Sequence, residues 1–278
     1  MKKILVPVDF SEHSAYALEV AASLARQSDS EIVLLHMMGL SEAILTKDAS
    51  QEAAEAHYYM KLTKKRFQEF LDKDFLKGIK VQEMVQNYKV FSEINEVAME
   101  LQAELIVMGS HGTSGLSSIF VGSNTEKVVR TAKVPVLVVK KKRPDYKPHR
   151  VVYACDYNVE DLSAYKQALK LFDRWKVEVH LVYVNMPTEH FKSSEEIKRA
   201  REMFFKVAHN GSQPAEIKTH IVSDYSIEGG IFYFASTIGA DLIAMPTHGR
   251  KGMAHFFKGS IGEDVANRAE IPVITFKV

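Results

Sequence analysis

Short, wholly apolar runs along the chain alternate with longer segments in which apolar residues recur every three or four positions. The short runs fit strands buried on both faces, and the longer pattern fits helices with one face on a core. Residues 4–9 predict a first strand, and the helix after it is capped by Ser11 and striped by Ala15, Leu18, Ala21, Ala22 and Ala25. Residues 31–37 predict a second strand, parallel to the first because a crossover of this length joins them. A long surface helix over 49–73, a polar edge strand over 81–85 and a helix over 90–101 follow. Residues 105–108 form a core strand, 123–131 a helix and 134–139 a fifth strand.

After a charged run with two prolines, Lys140 to Pro148, the same programme restarts. Residues 151–156 match the first strand, with Asp156 answering Asp9, and residues 178–184 match the second. Asp9 stands as far from His36 as Asp156 from Tyr183. A helix over 194–208, a strand near 217–222, a helix over 227–238 and strands over 241–245 and 271–276 complete the copy. This is a tandem duplication: domains 1–140 and 150–278, joined by a solvated linker over 141–149. Each half predicts an α/β fold with an open, five-stranded parallel sheet of order 3-2-1-4-5.

At 278 residues either half has enough chain to bury a core. With 36 basic and 35 acidic residues the net charge is +1, so nothing draws the protein to nucleic acid or to an anionic membrane. A single cysteine, Cys155, excludes an internal disulfide framework and a cysteine-rich zinc site, and it reads as a small buried strand residue. No signal-type or membrane-spanning run is evident, and a cytoplasmic protein is expected.

The candidate chemistry lies where Gly109-Ser110-His111-Gly112 is followed, after nine residues, by Gly122-Ser123-Asn124-Thr125. A glycine-punctuated loop there joins a strand end to a helix N-terminus, with Ser123 and Glu126 spaced as a capping box. Unpaired first-turn N–H groups and the positive end of the helix dipole bind phosphate without a lysine. Glycine and serine are also ordinary loop and cap residues. The arrangement occurs twice, however: Pro246-Thr247-His248-Gly249 is followed, after nine residues, by Gly259-Ser260-Ile261-Gly262. In an open parallel sheet, ligands bind beyond the strand ends where the order reverses. Order 3-2-1-4-5 puts Asp9 and Gly109 at one such crevice, an acid for ribose or base beside a cradle for phosphate. No P-loop and no dinucleotide fingerprint occurs, and His111 is the nearest candidate base for hydrolysis.

The residues Pro7-Val8-Asp9-Phe10-Ser11 and Gly109-x-x-Gly112-(nine)-Gly122-Ser123, found with the strand after Pro135, resemble the universal stress proteins of the adenine-nucleotide-binding type. The resemblance covers both halves and implies an adenine nucleotide alpha hydrolase-like fold. It implies that Asp9, with the backbone of Val8 and Met37, holds adenine and ribose, and that Pro7 belongs to the same site. Gly109, His111, Gly112, Gly122, Ser123, Asn124 and Thr125 would surround the phosphates of ATP, with Mg²⁺ or Mn²⁺ carried by the nucleotide, and Met108 would also belong to the nucleotide site. Asp156, Gly249, Gly259 and Ser260 would form a second site, altered because Pro246, Ala154 and Gly262 replace the counterparts of Gly109, Pro7 and Thr125. The resemblance also implies pairing of fifth strands, here between the two halves as an intramolecular pseudo-dimer, with a homodimer of chains as a further assembly. Three readings stay open: a nucleotide-binding stress-response regulator, an interaction scaffold with vestigial pockets and unknown protein partners, and a slow ATP hydrolase.

Overall fold

The computed structural model describes residues 2–37, 49–86, 93–110, 123–188, 191–211, 213–247 and 271–278. The first half contains β1 (Lys2–Val8), α1 (Glu12–Ser28), β2 (Ser30–Met37), α2 (Ala49–Leu71), β3 (Val81–Gln86), α3 (Glu93–Glu100), β4 (Leu105–Gly109), α4 (Ser123–Thr131) and β5 (Val136–Val139). The second contains β6 (Arg150–Ala154), α5 (Leu162–Trp175), β7 (Glu178–Asn185), α6 (Ser194–His209), β8 (Ile217–Ser223), α7 (Ile227–Ile238), β9 (Leu242–Thr247) and β10 (Val273–Lys277).

The strands form one ten-stranded sheet in the order β3-β2-β1-β4-β5-β10-β9-β6-β7-β8. Each half therefore has the order 3-2-1-4-5 that the sequence pattern predicts. Every neighbouring pair is parallel except β5 and β10, which run antiparallel with Leu137 opposite Ile274. Alternation along the strands feeds two layers. Ile4, Val6 and Val8 join a core with α1 and α2, while Leu5 faces a second core with α3 and α4. The first core runs without a break into the second half, through Leu137, Val139, Ile274 and Phe276 to Tyr165 and Phe172 of α5. On the opposite face α7 packs over a core of its own.

Local signals set the helix that frames the site. The Ser11 hydroxyl accepts from the Ser14 N–H at 3.2 Å and caps α1, and Asp29 in a left-handed conformation ends it. Ala17, Ala21, Ala22 and Ala25 are buried, so α1 lies close against the sheet.

Polar contacts also tie the halves. Arg174 of α5 pairs with Glu104 before β4, and Gln27 Nε2 donates to the Tyr146 carbonyl at 2.9 Å. The Tyr146 hydroxyl donates to the Asp241 carbonyl at 3.2 Å, and Lys277 Nζ to the Arg130 carbonyl at 3.3 Å. The segment expected to be a solvated linker is thus partly docked: Tyr146 and Pro148 are buried, while Lys141, Lys142, Pro144, Asp145 and Lys147 are exposed.

The seam between β5 and β10 carries a stability prediction. Leu137 is fully buried opposite Ile274. Leu137→Ala is expected to lower unfolding stability by about 2–5 kcal/mol in urea titrations, the cost of a large-to-small change in a closed core.

Candidate functional site

β1 and β4 pair in register only at Ile4–Leu105 and Leu5–Ile106. Pro7, which has no N–H to give, lies beyond that pairing. The crevice at the switch point therefore opens between the ends of two central strands, with Asp9 on one side and Gly109 on the other.

Asp9 is built into the start of α1. Its Oδ1 accepts the Ser11 N–H at 3.0 Å and the Ser14 hydroxyl, and its own N–H donates to Ser14 Oγ at 3.2 Å. Phe10 takes a left-handed conformation, φ 64°, to make this turn. Its ring lies 4.6 Å from the His36 imidazole and packs edge-on against Phe67 and Phe70 of α2. His36 Nδ1 lies 2.9 Å from the Val8 carbonyl, so Nδ1–H donates and links the two strand ends. Burial holds the His36 imidazole below its ordinary value, outweighing the Val8 hydrogen bond that favours the proton, and the Arg66 charge adds to the depression.

On the other side, Gly109 has a structural reason to be glycine. A Cβ there would stand 2.7 Å from the backbone carbon and oxygen of His13, in the first turn of α1. The residue is needed for close packing of α1, and among the described residues of the site it is Phe10 that takes a left-handed backbone. Thr125 in the first turn of α4 is buried, and its hydroxyl donates to the Gly109 carbonyl at 2.8 Å. It fixes the helix N-terminus over the strand end. Asn124 is half-buried beside it. Met108 is buried in the core, and Met37 ends β2 opposite Gln86 of β3. His111, Gly112, Gly122, Gly249, Gly259 and Ser260 lie outside the described residues, as does the side chain of Ser123.

Next to the crevice a cleft of about 510 Å³ separates α1 from α2, lined by Asp9, Phe10, Glu12, Arg66, Phe70 and Lys73 among others. Sequence reading did not find Arg66, whose guanidinium stands 5.9 Å from the Phe10 ring centroid. Its place in a long charged helix gives no local signal. Ser14 was also missed, although a hydroxyl one turn into a helix that follows a strand-end acid is a readable pattern. Among the described residues no group of three or more His, Cys, Asp or Glu side chains could hold a metal ion.

The family model described as the universal stress protein family matches residues 1–140 and again 148–277. The chain belongs to the universal stress protein family. Two universal stress proteins of Methanocaldococcus jannaschii are each 33% identical to it, over 158 and 155 residues, covering 52% and 51% of this chain and 85% and 96% of the relatives. A crystal structure of a universal stress protein from Archaeoglobus fulgidus, 23% identical, covers 99% of this chain and 96% of its own with a TM-score of 0.63, a likeness of fold across both halves.

The two universal stress protein units repeat the acid-bearing turn and then diverge. Asp156 Oδ1 accepts the Asn158 N–H at 2.8 Å and Tyr157 is left-handed at φ 60°, matching Asp9, Ser11 and Phe10. Where the first unit has Phe10 and His36, the second has Tyr157 and Tyr183, stacked with ring planes 3° apart and both buried. Pro246 stands where the first unit has Gly109, and α5 begins at Leu162 after a 3-10 turn over Val159–Asp161. Its first α-helical turn thus starts three residues later than that of α1. Cys155 is buried, and burial pushes its thiol well above the ordinary range, in keeping with a packed residue and not a reactive one.

Gly109→Ala is expected to destabilise the protein by about 1–3 kcal/mol, because the first turn of α1 must move to admit the methyl group. Thermal and urea unfolding would measure it. Stability equal to that of the natural sequence would show that α1 yields without cost.

Proposed function

We propose that the protein is a nucleotide-binding regulator of stress responses whose working site is the crevice of the first half, acting in the cytoplasm. The observation that carries this reading is the convergence at one switch point of a strand-end carboxylate, Asp9, and a helix N-terminus pinned to the facing strand by the Thr125–Gly109 bond. An acid on one side suits ribose hydroxyls, and an N-terminal helical turn on the other suits phosphates. The ligand is an adenine nucleotide, ATP or its diphosphate, with base and ribose at the ends of β1 and β2. These residues fit such a group: Asp9 Oδ1 is anchored by Ser11 and Ser14, which orients the carboxylate, and the described donor set offers no cluster for a resident metal. A divalent ion would arrive with the phosphates and shield their charge. We take domains 1–140 and 150–278 with linker 141–149 as the units. The second half serves as a structural counterpart, because the stacked Tyr157 and Tyr183 fill the position where the first half keeps Phe10 and His36.

Protein purified without added ligand and then denatured is expected to release close to one adenine nucleotide per chain, or to bind one on titration with Mg²⁺-ATP. Two per chain would overturn the assignment of the second half. No binding in either format would leave the interaction scaffold as the better account. Asp9→Asn, which keeps the Oδ1 acceptor for Ser11 and Ser14, is expected to weaken nucleotide affinity at least tenfold with little change in unfolding temperature. Asp9→Ala is a poorer probe, because it also removes those two contacts from α1.

A further inference from the structure

The outer edge of the second half carries a group of charged and imidazole side chains that the nucleotide site does not use. His180 of β7 and His220 of the edge strand β8 face each other with Nδ1 and Nε2 3.0 Å apart, their rings 5.1 Å between centroids and 19° from parallel. Phe234 of α7 closes over both, 4.5 Å from His220 and 6.2 Å from His180. His180 is buried, and its Nε2 lies 3.3 Å from Glu178 Oε1 without hydrogen-bond alignment. Glu178 is in turn held by Arg150 of β6 at 3.2 Å and by Lys218 of β8. The charged groups around the pair are thus Glu178 on β7, Lys218 on β8 and Arg150 on β6, while α7 contributes an aromatic ring.

We propose that this Glu178–His180–His220 chain is a proton-operated latch that holds β8 and α7 to the body of the second half near neutral pH and releases them in acid. The geometry dictates the behaviour. One ring nitrogen must carry a proton and the other a lone pair for the 3.0 Å contact to bind. The carboxylate beside His180 Nε2 favours the proton there, which leaves Nδ1 to accept from His220 Nε2–H. One added proton keeps a donor facing an acceptor. A second makes both rings cations, sets donor against donor, and places two positive charges beside Lys218 beneath an apolar ring. Burial lowers both imidazoles; for His180 the nearby Glu178 opposes this, and for His220 Lys218 reinforces it. Both folded-state values lie below that of the unfolded chain, so the unfolded state takes up protons first as pH falls. The latch is fully set above the ordinary histidine value of about 6.5 and is lost as pH drops through the lower folded values.

Hydrogen–deuterium exchange on the full chain tests this at pH 7.5 and 5.5, after correction for intrinsic exchange rates. Residues 217–238 are expected to lose protection at least threefold at the lower pH, while β1 and β4 keep theirs. His220→Gln, whose amide donates to His180 Nδ1 but does not titrate, is expected to abolish that loss. Equal loss in the variant and the natural sequence would overturn the proposal and assign the effect to other groups, such as His209 of α6, which burial also lowers. Imidazole titration of the natural sequence by NMR is a second measurement that does not depend on the variant folding. Values below 6.5 for both rings support the latch, and values at or above it overturn it.

Discussion

The antiparallel contact between β5 and β10 is the constraint on which the molecule depends. Each half alone would end its sheet on a short apolar strand with open backbone groups, a surface prone to pairing with other chains. Joining the two edges buries Leu137, Val138, Val273 and Ile274 and makes two sheets one. Because every other pair is parallel, the reversal occurs once, and strands of the two halves run in opposite directions. The C-terminal strand ends of the two halves therefore point to opposite ends of the sheet. Any influence of one crevice on the other must pass through the packed body, along the core that α1 and α5 share.

The same geometry shows how two copies of one design came to differ. Both need a break in backbone pairing where the first and fourth strands of a unit part. In the first half the proline that supplies it is Pro7, on β1. In the second half Ala154 stands at that position, and the proline is Pro246, on the facing strand β9. The exchange removes the glycine that lets helix and strand meet closely in the first half, where a Cβ would come within 2.7 Å of His13. A later start for α5 accompanies it. The altered residues of the second half thus form a connected set, with strand end, helix start and aromatic filling changing together.

Much of this was legible in the sequence because it rests on short-range pattern. Unbroken apolar runs gave the buried strands, Ser11 marked the start of α1, and the duplicated spacing of Asp9 and Asp156 announced two units with one strand order. The family resemblance rested on the same residues. What escaped depends on contacts distant in sequence. Nothing near Gly109 announces that the backbone of His13 will press against it, and nothing near Thr125 announces that its hydroxyl reaches the Gly109 carbonyl. Arg66 reaches the Phe10 ring only because α2 folds back over the end of β2. The polar run after Lys140 looked solvated by composition, yet Tyr146 folds inward to link Gln27 of one half with Asp241 of the other.

The two halves also bury their aromatic and imidazole groups differently. In the first half His36 ties the ends of β1 and β2 beside an open cleft, and its ring stays partly accessible between Phe10 and Phe67. In the second half Tyr157 stacks on Tyr183 at the equivalent place, and the paired histidines lie away from it, His180 near the start of β7 and His220 midway along β8. The stacked rings add packing at that strand end, whereas in the first half a capped acid and a pinned helix place polar groups at the ends of β1 and β4. The shared seam and the continuous core couple the two copies, so each half is stabilised by packing against the other.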